Sequence, residues 1–298
     1  MRKSFIRGLS NLAWIVIIFG SYVIVAQTPV VTGDWTASTK DEKSKIHLSF
    51  ERKTEKGGRN QHGTSFAYGD LQGLSQENSQ NGRVNFRLVR EAGTIECEGT
   101  FVNGKGSGTF RFTGNQGFVD AMRSRGFDFE KSKAGHEAHE GDRLFSAAVL
   151  NVTTAFADDL KSANFGPLDV SDLFKAVIFK VTPQFMAEMK ATGFPNLGME
   201  ELVKARIFKI DADYVRQVRG MGFNEEDFEG FVKFRIFKVT PEFLNELKSE
   251  GFADLSAEEI VKFRIFKIDT DFIRQSRAEE PNITVEQLVQ RRIGIRRR

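Results

Sequence analysis

The residues of this chain that come nearest to carrying chemistry are His136-Glu137-Ala138-His139-Glu140. A zinc-peptidase site needs two histidines four apart on one helix face, with a glutamate beside the first, so that both imidazoles reach one metal. Here the histidines are three apart in a polar, glycine-flanked stretch from Lys131 to Asp142, which reads as a solvated insertion. Only four histidines occur, and the other two, His47 and His62, lie upstream. There is no Gly-x-Ser-x-Gly elbow, no phosphate-binding glycine loop and no cysteine pair. The one cysteine, Cys97, alternates onto the face of Ile95 and Phe101 and is expected to be a buried thiol. A non-enzymatic protein with no catalytic, cofactor-binding or metal-binding residues is therefore expected. The formal charge of +3 is more than accounted for by Arg291, Arg292, Arg296, Arg297 and Arg298, so the body of the fold offers no basic face for nucleic acid.

What positions the remaining residues is a repeat. Val152, Val181, Ile210, Val239 and Ile268 recur at a constant step of 29 residues, a period that marks a solenoid or array. Each is followed by a helix-capping side chain, Thr153, Thr182, Asp211, Thr240 or Asp269, and twice by proline at the first helical position, Pro183 and Pro241. The first helix of each unit closes at Gly193, Gly222 or Gly251 with a phenylalanine next, and at Asn164-Phe165 in an earlier copy. A second start follows at Asp169, Gly198, Asp227 and Ser256, and the helix after it reads LVKARIFK, FVKFRIFK or IVKFRIFK. Two short helices per period make a tight hairpin, and hairpins this short need their neighbours to bury their apolar faces. Phe118 to Phe127 matches the first helix of the unit, so the array is expected over 117–294. Asp and Glu crowd the first turns while Lys209, Lys238 and Lys267 are expected in the last turns, as the helix dipole favours.

Residues 32–113 change character: glycine and threonine rise and period-two alternation appears, as in Ile46, Leu48, Phe50 and in Val84, Phe86, Leu88. TIECEGTFVNGKGSGTFRF is a hairpin turned at Asn103-Gly104. The fold class expected is α+β, with a small antiparallel domain of about six strands, a barrel or sandwich, followed by the helical-hairpin array. Gly33-Asp34-Trp35 resembles the first-strand Gly-x-Trp of lipocalins, but the segment is too short for their eight strands. Ahead of it, Arg2, Lys3 and Arg7 precede an apolar run from Leu12 to Ala26, the pattern of a secretory signal peptide over 1–26, with an uncleaved anchor as the alternative. Export to the bacterial periplasm or beyond follows, with membrane contact expected only through that segment or the basic tail at 295–298.

The VTPEF…ELK..GF…LS.EE.V..RIFKI pattern resembles the helical repeats that follow the peptidase domain of some bacterial antirepressor-type membrane metallopeptidases and that occur in secreted bacterial proteins. No His-Glu-x-x-His occurs in this chain, so the resemblance carries over no catalytic residue, and it implies no established activity. The function expected is a protein-interaction scaffold, an adaptor or sensor in envelope signalling. The other reading is a β domain that binds a small apolar or saccharide ligand, with the repeats as spacer or oligomerisation element.

The partner site is expected on the second helix of the unit, whose apolar residues Ile260, Val261, Phe263, Ile265 and Phe266 spread over more than one face. Ala176 and Ala205 stand where Phe234 and Phe263 stand in later copies. A buried site would have to absorb that change in volume, whereas an exposed site would not. Phe234 and Phe263, flanked by Lys233, Arg235, Lys262 and Arg264, are therefore expected to form an exposed docking strip for an acidic, apolar segment of a protein partner.

Overall fold

A computed structural model describes residues 29–39, 44–53, 59–131, 140–224 and 226–294. The expectations for 1–26, His136, His139 and 295–298 lie outside the described residues. The architecture is a seven-stranded antiparallel sheet followed by twelve helices.

The strands are β1 (Val30–Ser38), β2 (Lys45–Lys53), β3 (Arg59–Ala67), β4 (Leu71–Gln72), β5 (Gly82–Arg90), β6 (Gly93–Val102) and β7 (Lys105–Gly114). The order β3-β2-β1-β7-β6-β5-β4 is a meander closed by the β1–β7 pairing and left open between β3 and β4, so the sheet curls into half a barrel. It is the small antiparallel β domain that the sequence suggested, with one strand more than the six expected and curled as half of a barrel. The seventh strand, β4, has two residues and so carries no period to read. The alternating sets are buried as expected: Ile46, Leu48, Phe50; Val84, Phe86, Leu88; Ile95, Cys97, Phe101. Between β6 and β7 the two-residue turn places Asn103 and Gly104 both at positive φ, the backbone that Asn-Gly favours.

Trp35 explains the glycines around it. Its indole N–H donates to the Glu98 carbonyl at 3.1 Å, two strands away. The ring can cross β7 because Gly99 and Gly108 carry no side chain; a Cβ on Gly99 would stand 2.6 Å from Trp35 Cζ2, and one on Gly108 would stand 1.9 Å from the Glu98 carbonyl oxygen.

The helices form six hairpins: α1 (Gln116–Ser124) with α2 (Glu140–Leu150), α3 (Thr154–Ser162) with α4 (Val170–Phe179), α5 (Pro183–Ala191) with α6 (Met199–Ile207), α7 (Ala212–Gly220) with α8 (Phe228–Ile236), α9 (Pro241–Ser249) with α10 (Ala257–Ile265), and α11 (Thr270–Glu279) with α12 (Val285–Arg292). Thr153, Thr182, Asp211, Thr240 and Asp269 each accept from the backbone N–H three residues on, as the caps in the sequence require. Second helices stack on second helices, α2 on α4 through to α12 on α10, which is solenoid packing.

One side chain fastens the sheet to the array. Phe145 of α2 lies stacked on Phe110 at 5.0 Å and edge-on to Phe50 and Phe112 at 5.7 and 5.5 Å, filling the inward face of the sheet. Sheet and array thereby share a continuous core. Phe145→Ala is expected to cost about 3–5 kcal/mol. Because the core is shared, calorimetry of the wild type should show one unfolding transition; separate sheet and array transitions would contradict the shared core.

Candidate functional site

The second helices α6, α8, α10 and α12 are each held by an arginine near the end. Arg235 of α8 donates from Nε to the Phe208 carbonyl at 2.9 Å and from Nη2 to the Lys209 carbonyl at 2.7 Å, both at the end of α6. The same guanidinium lies over the Tyr214 ring of α7, 4.1 Å from its centre. Arg206 repeats this with the Lys180 carbonyl and Phe185, Arg264 with the Lys238 carbonyl and Phe243, and Arg292 with the Phe266 carbonyl and Phe272. The last carbonyls of a helix have no partner within it, so each arginine satisfies the preceding hairpin while stacking on its own. Burial, opposed by Arg235, leaves the Tyr214 hydroxyl pushed up to about 12, so that ring is neutral across the working pH range.

This arrangement corrects the expected docking strip. Phe234 is 1% exposed and Phe263 fully buried, so neither ring is open to a partner. The volume change between copies is absorbed by the phenylalanine that closes the first helix. Where the second helix carries phenylalanine, Phe223 packs edge-on to Phe234 at 4.9 Å and Phe252 to Phe263 at 5.3 Å, within the hairpin. In the hairpin with Ala205, Phe194 instead packs on Phe228 and Phe231 of the next hairpin. Of the flanking cations, Arg235 and Arg264 belong to the arginine ladder, Lys262 pairs with Glu258 at 3.0 Å, and Lys233 is exposed.

The exposed apolar residue of the unit is a different one. Ile178, Ile207, Ile236 and Ile265 are 47–54% exposed and stand 29 residues apart at the ends of α4, α6, α8 and α10. Ile293, 49% exposed, takes the same place after α12, nine residues beyond its cap Thr284 as Ile265 is beyond Ser256. In the helix wheel, Ile265 lies far around the axis from buried Phe263. Two residues after each of the first four isoleucines stands an exposed lysine: Lys180, Lys209, Lys238 and Lys267. These lysines are not in the last helical turn but just past it, at φ 51–55°. There the Val239 N–H reaches back to the Phe234 carbonyl at 2.9 Å, closing the helix in the manner usually left to glycine.

A polar junction sits where the sheet meets the array. A cleft of about 1680 Å³ is bordered by His62, Asp142, Ser146, Arg143, Lys175 and Ile178 among others. His62 Nε2 lies 3.5 Å from Ser146 Oγ, and its ring is edge-on to Phe145. Ser146 donates to the Asp142 carbonyl one turn back at 2.9 Å, while the Asp142 carboxylate pairs with Arg52. A nucleophile–base–orienter chain needs the carboxylate on the imidazole, and here it is committed to Arg52, so the cluster is a structural junction. Among the described residues no group of three or more His, Cys, Asp and Glu side chains is placed to hold a metal, and no helix is long and apolar enough to cross a membrane. Burial pushes the Cys97 thiol far up, which leaves it an inert core group.

Nothing in the sequence marked this junction, because His62, Arg52, Asp142 and Ser146 are brought together only by α2 docking on β2 and β3. The isoleucine row did have a signal: RIFK and VIFK keep the isoleucine, like the phenylalanine after it, in all four copies.

Two outcomes follow from this geometry. Burial holds the His62 imidazole below its ordinary 6.5, opposed by the Asp142 carboxylate and helped to a smaller degree by Arg52. The unfolded chain then takes up the proton first, so stability is full above pH 6.5 and falls as pH drops through that value. His62→Gln should flatten the fall in urea midpoint between about pH 7.5 and 5; equal slopes in both proteins would show that His62 does not titrate differently on folding. For the ladder, a double-mutant cycle on Arg264 and Phe243 should give a coupling of roughly 1 kcal/mol, and Arg264→Lys should not restore it, since an ammonium lacks the planar fork. Full rescue by lysine would reduce the contact to bare charge. No family model, curated protein or solved structure matches this chain.

Proposed function

We propose that this protein is an exported, non-enzymatic binding protein whose helical array is a scaffold for a protein partner, in the role of an adaptor or sensor for envelope signalling. The observation that carries the reading is the regular stack of α4, α6, α8, α10 and α12, which presents one exposed apolar side chain per hairpin on an otherwise polar surface. Apolar groups aligned across neighbouring units mark an interaction face more than they mark chance exposure. The signal-peptide pattern of 1–26 and the resemblance to VTPEF-type repeats of secreted bacterial proteins support the setting. For the small-ligand reading, the inward face of the sheet gives no help: Trp35, Phe50, Phe110, Phe112 and Phe145 pack ring against ring there.

Because α2 binds the sheet to the array, the test uses the full chain. A photo-crosslinking residue is placed either on the array, at Lys233, or on the polar face of the sheet, at Thr36, both of them exposed. In a bacterial envelope extract the array position should give one saturable protein adduct and the sheet position none. Adducts only from Thr36 would overturn the scaffold reading.

A further inference from the structure

The row Ile178, Ile207, Ile236, Ile265 and Ile293 has no structural duty: each side chain is about half exposed, and a β-branched residue is a weak helix former. An exposed position of the first helix has diverged between copies, to Asp158, Ala187, Arg216, Asn245 and Arg274. The isoleucine has not. Its companion lysine is held in left-handed backbone, which is unfavourable for a non-glycine residue and easier for asparagine. Four copies keep lysine there all the same. The first hairpin, where α2 packs on the sheet, departs on both counts: Val149 is buried and Asn151 takes the left-handed position. Where the array is docked on the sheet, both features are gone.

We infer that the isoleucine row is a docking track for one extended, acidic peptide segment of a protein partner, each isoleucine taking an apolar side chain and each lysine an intervening carboxylate. This rests on the scaffold reading and names its site and ligand chemistry. The charge settles the sign of the partner, since Lys180, Lys209, Lys238 and Lys267 flank the row and are exposed. The spacing settles its form: stacked helices lie about 8–10 Å apart, which three residues of an extended chain span at about 3.3 Å each. The track is one side chain wide, too narrow for the broad apolar face that seats a helix in a bilayer.

The test uses the full chain and synthetic peptides of about fifteen residues, long enough for five rungs at three residues each. Peptides repeating Glu-Asp-Leu, Glu-Asp-Ser and Lys-Lys-Leu are titrated by fluorescence anisotropy. The Glu-Asp-Leu peptide should bind, the other two should not, and Ile207→Ser with Ile236→Ser should weaken binding at least about tenfold without moving the thermal midpoint. A second variant, Lys209→Glu with Lys238→Glu, should abolish binding of the acidic peptide. No binding of Glu-Asp-Leu, or equal binding by both variants, overturns the proposal. So does isoleucine-dependent sedimentation with phosphatidylglycerol vesicles, which would name lipid as the occupant, or isoleucine-dependent self-association, which would name a second copy. If the Lys233 crosslink survives in the serine variant, the track fails while the scaffold reading stands.

Discussion

The array depends on the arginine at the end of the second helix in its last four hairpins. One guanidinium does two jobs with two faces. Its edge donates to the carbonyls that end the preceding second helix, and its plane covers the aromatic ring of its own first helix. A charge-assisted hydrogen bond contributes about 1.5–3 kcal/mol and an exposed cation–π contact about 0.5–1, and partial exposure puts these arginines toward the lower values. Repeated at Arg206, Arg235, Arg264 and Arg292, the contact makes each hairpin a condition of the next. The ladder starts where it is first needed. Val177 of α4 stands 29 residues before Arg206, and α4 rests on α2, which the sheet already holds.

The last described second helix differs at a core position. Phe234 and Phe263 fill the middle of α8 and α10, but the equivalent residue of α12, seven beyond its cap Thr284, is Arg291. The phenylalanines pack on the closing ring of their own hairpin, whereas Arg291 turns to Glu279 at 3.0 Å and to the Ser276 carbonyl at 3.3 Å.

How much of this was legible follows from the range of each interaction. Caps, closing glycines and the 29-residue period are set by neighbours within a few residues, and the structure has them where the sequence puts them. Burial of Phe234 and Phe263 was misjudged because the compensating partners, Phe194, Phe223 and Phe252, move between packing within a hairpin and packing across hairpins. That choice is invisible in one unit. The lysines were placed inside the last turn because lysine favours a helix end on charge, whereas the backbone there is left-handed and pinned by the valine or isoleucine after it. The antiparallel β domain was legible from its alternation, but its strand order was not, since the pairing between β1 and β7 is long-range, and the seventh strand, β4, is too short to show alternation.

An exposed isoleucine on every hairpin is also a hazard, and the geometry limits it. A continuous apolar patch invites association, but here the side chains are one per helix, about 8–10 Å apart, with a lysine beside four of the five. Charges that flank an apolar run act as gatekeepers against self-pairing. Like-charged rungs repel a second copy of the same row and admit an oppositely charged chain. Each rung offers little contact by itself, so affinity must come from several engaged together, and a segment that fits one rung but not the next gains almost nothing. A rigid ladder is what makes that discrimination possible, because the rungs keep their spacing only as long as the arginines hold successive hairpins in register.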